Sequence, residues 1–194
     1  MEETVVLVDD DGRDIGTMSK RLVHHQDTPL HLAFSCYVFD RERNLLITRR
    51  AGHKHTWPGV WTNTCCGHPA PGEPMSEAVE RRLVDELGLV PADEITLVLP
   101  RFRYRATMAD GTVENELCPV LMTVADGDPV PDPDEVDGWN RVPWAEFAAT
   151  VQDGTRDVSP WCRQQVPQLT ALGPDPLEWP AAPHWELPPA AVWS

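Results

Sequence analysis

Histidines and carboxylates give the first chemical signal in this chain. Six of the seven histidines fall in the first 68 residues, with His24 and His31 seven apart and His68 directly after Cys66-Gly67. Farther on, Glu114 and Glu116 flank Asn115 in a strand-like run. Residues i and i+2 of a strand share one face, so these two carboxylates converge. Like charges held side by side need a cation between them or a shared proton. Three imidazoles and two carboxylates suit a borderline ion such as Zn²⁺ or Mn²⁺. Spacing alone leaves a second reading open, in which the glutamates line a solvated sheet face and the histidines are unrelated.

A second pattern runs from Gly67 to Leu89. It reads Gly67, five residues, Glu73, seven residues, Arg81-Arg82-Leu83, one residue, Asp85-Glu86, one residue, Gly88-Leu89. Ser76 is a good N-cap type, and Glu77 suits the first turn of a helix. Val79, Leu83 and Leu87 recur every four residues, and Gly88 is a natural stop, so the spacing predicts a helix opening at Ser76. Acids one turn apart can hold a hard cation, and through it a diphosphate. A surface helix with Glu77–Arg81, Arg81–Asp85 and Arg82–Glu86 ion pairs is the plainer reading of the same charges. The full 23-residue spacing, however, resembles the Nudix box, Gly-x5-Glu-x7-Arg-Glu-U-x-Glu-Glu-x-Gly-U, where U is aliphatic. Arg82 and Asp85 stand where that box has glutamates. Nudix hydrolases use the glutamate cluster to cut phosphoanhydrides, so Arg82 in its place implies a diphosphate that is held and not cut.

The elements that must position these groups are mostly strands. Residues 4–8 read as a strand with a turn at 9–12, and 31–39 with 45–50 as a hairpin around a polar turn. Residues 51–75 read as an irregular loop. Strand-like stretches follow at 95–99, 101–106 and 112–124, with an Asp110-Gly111 turn, and 126–137 reads as an exposed acidic loop. Helices are expected over 143–151 and from Ser159-Pro160 to about Leu172. This order predicts an α+β fold, an α/β/α sandwich with a mixed, largely antiparallel sheet. Residues 1–173 form the expected domain. Residues 174–194 hold six prolines and three tryptophans and read as a tail, loose or packed on the surface through its tryptophans. On that reading a chain cut after Gly173 keeps its turnover within a few fold.

Composition narrows the function classes. The chain has 194 residues and a formal net charge of −15, which repels nucleic acid and anionic membranes. No apolar run approaches the length of a membrane span. The acidic start lacks a signal-peptide pattern, which points to the cytoplasm. Five cysteines with no C-x-x-C pair disfavour a disulfide framework or a zinc ribbon. Basic residues cluster at Lys20-Arg21, Arg49-Arg50 with Lys54, Arg81-Arg82 and Arg101, Arg103 and Arg105, as an acidic chain that binds a diphosphate requires.

From about residue 4 to about 165 the sequence resembles the type 1 isopentenyl-diphosphate isomerases, a family with the Nudix fold. The resemblance is carried by His24-x6-His31-Leu-Ala-Phe-Ser, Arg49-Arg50-Ala51, Trp57-Pro58-Gly59-Val60-Trp61-Thr62-Asn63 and Cys66-Gly67-His68-Pro69. It continues through Arg81-Arg82-x3-Glu86-Leu87-Gly88, Phe102-Arg103-Tyr104-Arg105-Ala106, Glu114-Asn115-Glu116 and Ser159-Pro160-Trp161. The resemblance implies an enzyme that interconverts isopentenyl and dimethylallyl diphosphate; a monomer is the default expectation. It implies that His24, His31, His68, Glu114 and Glu116 bind one Mn²⁺, Zn²⁺ or Mg²⁺, and that Glu86 binds a Mg²⁺ arriving with the diphosphate. Lys20, Arg50, Lys54 and Arg82 would hold the phosphates. Cys66 and Glu116 would move protons on opposite faces of the substrate, Tyr104 would assist Glu116, and Trp161 would face a carbocation. For the forward direction the expected acid is Glu116 with Tyr104, and the base a Cys66 thiolate whose pKa a nearby cation lowers. Trp57 and Trp61 are expected either to wall the site or to serve as ordinary packing. A Nudix hydrolase and a catalytically inactive Nudix binding module are the two competing readings.

Overall fold

The computed structural model describes residues 3–193. Met1, Glu2 and Ser194, at the outer ends of the two regions expected from the sequence, lie outside it. In chain order the elements are β1 (Thr4–Val8), β2 (Asp14–Ser19), α1 (Lys20–Val23), β3 (His31–Leu32), β4 (Phe34–Phe39) and β5 (Asn44–Arg50). Next come β6 (Trp61–Thr62), β7 (Cys65–Gly67), α2 (Met75–Leu87), β8 (Thr96–Leu99), β9 (Arg103–Thr107) and β10 (Val113–Leu117). The remainder are β11 (Val120–Val124), β12 (Val136–Pro143), α3 (Trp144–Gln152) and α4 (Pro160–Thr170).

The larger sheet has the order β12-β5-β4-β11-β8, with β6 on β5 and β7 on β4. The smaller has the order β2-β1-β3-β10-β9. Pairing is antiparallel except for β3 with β10 and β4 with β11, which makes the mixed, largely antiparallel arrangement the sequence predicts. Strand β4 shows why the larger sheet is covered twice. Phe34, Cys36 and Val38 pack into one core cluster with Met75, Val79, Leu83 and Leu87 of α2. Tyr37 and Phe39 point the other way and pack with Phe147 and Val151 of α3 and Val166 and Leu169 of α4. Side chains on a strand alternate faces, so a β4 buried along its whole length requires cover on both sides.

Several local expectations change. The run 31–39 is not one strand: at Ala33, whose N–H bonds to the Leu117 carbonyl, the chain passes from the smaller sheet to the larger. Helix α2 opens one residue early, after Pro74, and Ser76 does not cap it; Ser76 Oγ instead donates to the Trp193 carbonyl at 3.0 Å. The N–H of Met75 is satisfied by the Val192 carbonyl at 2.7 Å. Gly88 does end α2, in the left-handed conformation at φ 62°.

Residues 174–193 run back over this framework. Trp179 is buried, with its ring edge-on to Trp144 at 5.1 Å and to Phe39 at 5.7 Å, and its Nε1 donates to the Gly173 carbonyl. Leu187 joins the α2-side cluster. Gly12 lies at φ +80°, and a Cβ there would meet Pro188 at 2.9 Å, so only glycine fits beneath the returning chain. Removing these residues therefore uncovers core. Trp179→Ala alone is expected to cost about 3–5 kcal/mol of stability, read as a fall in the denaturation midpoint, and an unchanged midpoint would contradict this packing.

Candidate active site

The ends of several elements meet at one cavity of about 850 Å³. Helix α1 brings Lys20 and is followed by His24; β5 ends in Arg50; β7 brings Cys66, with His68 just after it; α2 brings Arg82 and Glu86. Strands β9 and β10 bring Tyr104, Glu114 and Glu116, and α4 brings Trp161. Lys54 completes the lining among the residues singled out from the sequence. His31 is fully buried and reaches the site through Glu116.

His24, His31, His68 and Glu116 each turn one ligand atom into a group spanning no more than 4.8 Å. Glu116 Oε1 lies 3.2 Å from His68 Nε2, 3.5 Å from His31 Nε2 and 4.0 Å from His24 Nε2. Pro29 O is 2.9 Å from His31 Nδ1, so Nδ1 carries a proton and Nε2 is the nitrogen aimed inward. The buried Nε2 atoms of His24 and His31 have no hydrogen-bond partner. Buried imidazole nitrogens left open around a carboxylate are what a divalent cation would satisfy, so the residues fit one. Burial would raise the Glu116 carboxyl, but the surrounding histidines outweigh it and hold it well below the usual carboxylate range. Burial lowers His68 to about 4 despite its bond to Glu116.

Glu114 is near this group but outside it. The Tyr104 hydroxyl lies 2.9 Å from Glu114 Oε2 and 2.9 Å from Glu116 Oε2, and so bridges the two carboxylates. Burial, and then the charge of Glu116, push Glu114 above its usual range. The pair is thus split into one carboxylate held ionised and one pushed toward its acid form, as expected when like charges share a buried site.

Cys66 is a free thiol, and burial pushes it up to about 12 against the pull of Ser35, Asn63 and Arg50. The expected lowering by a neighbouring cation is therefore outweighed in this chain, and Cys66 rests protonated. The Trp161 ring lies 5.7 Å from Tyr104 and packs edge-on to Trp57 at 6.3 Å. The Arg50 guanidinium sits 5.8 Å from the Trp161 ring centre, so the indole already faces one cation. Trp57 packs behind Trp161, and Trp61 lies under Arg49.

The four phosphate-binding candidates reach the cavity, three of them in ion pairs. Lys20 pairs with Glu3, Lys54 with Glu135, and Arg82 with Glu86 and, at 3.4 Å, with Glu135. Arg50 donates to the Thr56 carbonyl at 2.9 Å. Of the plainer helix ion pairs, Arg82–Glu86 forms, whereas Arg81 makes a two-pronged contact with Glu73. Arg103 pairs with Asp10 and Arg101 reaches the Leu187 carbonyl, both away from the cavity. Sequence reading missed Glu135, which it placed in an exposed acidic loop, and gave no role to Asn63, whose Oδ1 accepts from Trp161 Nε1 at 3.0 Å. Glu135 lies 81 residues from Lys54 and 53 from Arg82, and Asn63 lies 98 from Trp161, so local spacing carries no signal for these contacts.

Comparison with known proteins identifies the family and the fold. The NUDIX domain family matches residues 29–162. A Saccharopolyspora erythraea protein named isopentenyl-diphosphate Delta-isomerase is 60% identical over 98% of this chain and 97% of its own length. Proteins of the same name from Rhizobium rhizogenes and Mycolicibacterium vanbaalenii are 52% and 57% identical, over 97% and 88% of this chain and 90% and 93% of their own. Among solved structures, a Deinococcus radiodurans protein superposes with a TM-score of 0.63 at 16% identity, covering 86% of this chain and 98% of that one. A MutT protein from Methanosarcina mazei gives 0.58 at 18%, covering 75% and 96%. At those identities the likeness is one of fold.

Proposed function

This chain belongs to the NUDIX superfamily and, within it, to the isopentenyl-diphosphate Delta-isomerases, and from that premise we propose that it interconverts isopentenyl and dimethylallyl diphosphate. The observation that carries the reading is the convergence of a thiol, a Tyr104-bridged carboxylate pair and an indole on one cavity lined by five cationic side chains, Arg21 and the four phosphate-binding candidates. The terminal double bond of isopentenyl diphosphate is unactivated. Moving it requires a proton added at C4 and a proton removed from C2, with positive charge at C3 in between. An acid on one side and a base on the other meet that need.

Cys66 and Glu116 take these two roles and exchange them between directions. Each turnover transfers one proton out of one group and one into the other, so the pair ends in the complementary state and is reset by the reverse step or by solvent. Tyr104 hydrogen-bonds Glu116 and steadies it as its charge changes. Trp161 presents its ring to the charge at C3, worth about 2 kcal/mol when water is kept out. Water must be kept out, because it would capture the cation as an alcohol.

Lys20, Arg50, Lys54 and Arg82 hold the diphosphate, whose binding exchanges the carboxylate partners of Lys20, Lys54 and Arg82 for phosphate oxygens. Arg82, where a cleaving enzyme has an acid, adds a binding charge and pairs with Glu86. His24, His31, His68 and Glu116, with Glu114 beside them, would hold a Mn²⁺, Zn²⁺ or Mg²⁺, and Glu86 a Mg²⁺ shared with the diphosphate. A cation at the first position supplies a fixed positive charge that orders Glu116, and one at the second neutralises the phosphates. The reading keeps a monomeric, cytoplasmic enzyme acting on a small molecule. Among the described residues no helix is long and apolar enough to cross a membrane.

Mixtures started from either diphosphate should reach the same final ratio when followed by proton NMR; irreversible decay of either would count against an isomerase. Lys54→Met is expected to raise KM about tenfold, the worth of one charge-assisted hydrogen bond, with kcat little changed. A normal KM in steady-state kinetics would remove Lys54 from the phosphate site.

A further inference from the structure

Asn63 joins two parts of the site through a single oxygen. It is fully buried in the link between β6 and β7. Its Nδ2 donates to the carbonyls of Cys36 at 3.0 Å and Cys65 at 2.9 Å. Both partners are acceptors, so the amide can be oriented only one way, with Oδ1 on the far side. There Oδ1 accepts from Trp161 Nε1 at 3.0 Å, from Thr62 Oγ1 at 2.8 Å and from Cys66 Sγ at 3.4 Å. An indole nitrogen only donates, which fixes the polarity of that bond. Thr62 Oγ1 also lies 2.7 Å from Ser159 Oγ, the N-cap of α4. The start of α4 and the thiol on β7 are therefore registered on one atom, although 95 residues separate Cys66 from Trp161.

We propose that Asn63 is a positioning residue for the isomerisation, its Oδ1 setting the separation and orientation of the Cys66 sulphur and the Trp161 indole. This rests on the isomerase reading, in which both groups serve the same carbocation. Proton transfer needs hydrogen-bond reach, and an indole face acts only within about 6 Å of the charge. Slack between the two therefore falls on kcat, and a shift of about 1 Å can cost about 10²-fold. Among the described residues no hydrogen bond or ion pair joins Asn63 to Lys20, Arg50, Lys54 or Arg82, so substrate affinity is spared.

The test compares wild type, Asn63→Leu and Asn63→Asp with isopentenyl diphosphate. Asn63→Leu keeps the size and removes the acceptor; kcat should fall on the order of 10²-fold with KM within about threefold. Asn63→Asp, as the neutral acid, still accepts from Trp161 and donates to one carbonyl, and should recover about tenfold or more of that loss. A wild-type kcat in Asn63→Leu, or a loss carried wholly by KM, overturns the proposal. A second readout needs no Asn63 variant: the Trp161 indole proton resonance, assigned with Trp161→Phe, in wild type and in Cys66→Ala. Removing one donor from the shared oxygen strengthens the Trp161 bond and should move the resonance downfield; an unmoved resonance overturns the proposal. A wild-type chain that isomerises nothing defeats the functional reading instead, and the resonance comparison still reports on the shared oxygen.

Discussion

Replacing Cys66 by alanine is expected to lower turnover on the order of 10⁴-fold, the upper end of what one proton-transfer group contributes, while fold and metal content stay normal. The reason lies in what the thiol does and does not support. Asn63 Oδ1 keeps two other donors, Trp161 and Thr62, and Ser35 Oγ keeps Gln165 Nε2 as a donor at 2.9 Å. Neither Asn63 Oδ1 nor Ser35 Oγ is left without a partner, so the loss of one sulphur from the cavity wall should shift the denaturation midpoint little. What disappears is one of the two places a proton can stand, and without it the carbocation can only return to the alkene it came from. Stopped-time NMR assays, metal analysis and a melting curve on the same preparation check the three statements. Near-normal turnover would remove Cys66 from the mechanism.

Glu116→Gln is expected to be as severe and to differ in kind. Glu116 Oε1 lies within 4.0 Å of the Nε2 atoms of His24, His31 and His68, and the amide has neither the carboxylate's charge nor its capacity to take up a proton at neutral pH. Metal affinity should fall by about 10–100-fold or more, and turnover should be lost even with metal in excess. Stability gives an independent readout. A cation bound only by the folded chain stabilises it by about 2.7 kcal/mol at a hundredfold excess over Kd, so chelation should lower the melting temperature of the wild type. The same chelator should move Glu116→Gln much less. An equal shift in both would place the metal elsewhere.

How much of this was legible in the sequence depends on whether the cause was local. The α2 stripe of Val79, Leu83 and Leu87 was, because helical period and burial coincide along one element. Strand β2 was not: Asp14, Gly16 and Ser19 are poor strand formers, and pairing with β1 holds them. The break at Ala33 and the two- and three-residue strands β6 and β7 arise from which sheet each segment meets, which no nearby residue encodes. The site followed the same rule. Glu114 and Glu116 could be set on one face from period two alone, and three histidines could be named as candidate partners, yet choosing that grouping over a solvated sheet face took the family resemblance. Pairing of Glu135 with Lys54 and Arg82 spans 81 and 53 residues and was invisible. The Cys66 thiol is a matter of degree: a neighbouring cation, Arg50, is present as expected, and burial outweighs it.

One measurement tests the central claim, that this site moves protons on a prenyl diphosphate without cutting it. Protein and Mg²⁺ are mixed with isopentenyl diphosphate in D₂O, with and without chelator, and proton and phosphorus spectra are followed together. The account predicts dimethylallyl diphosphate that carries deuterium, an intact diphosphate signal, and no reaction once the metal is removed. Free phosphate or prenyl monophosphate in the phosphorus spectrum, or an unchanged substrate with metal demonstrably bound, would contradict it.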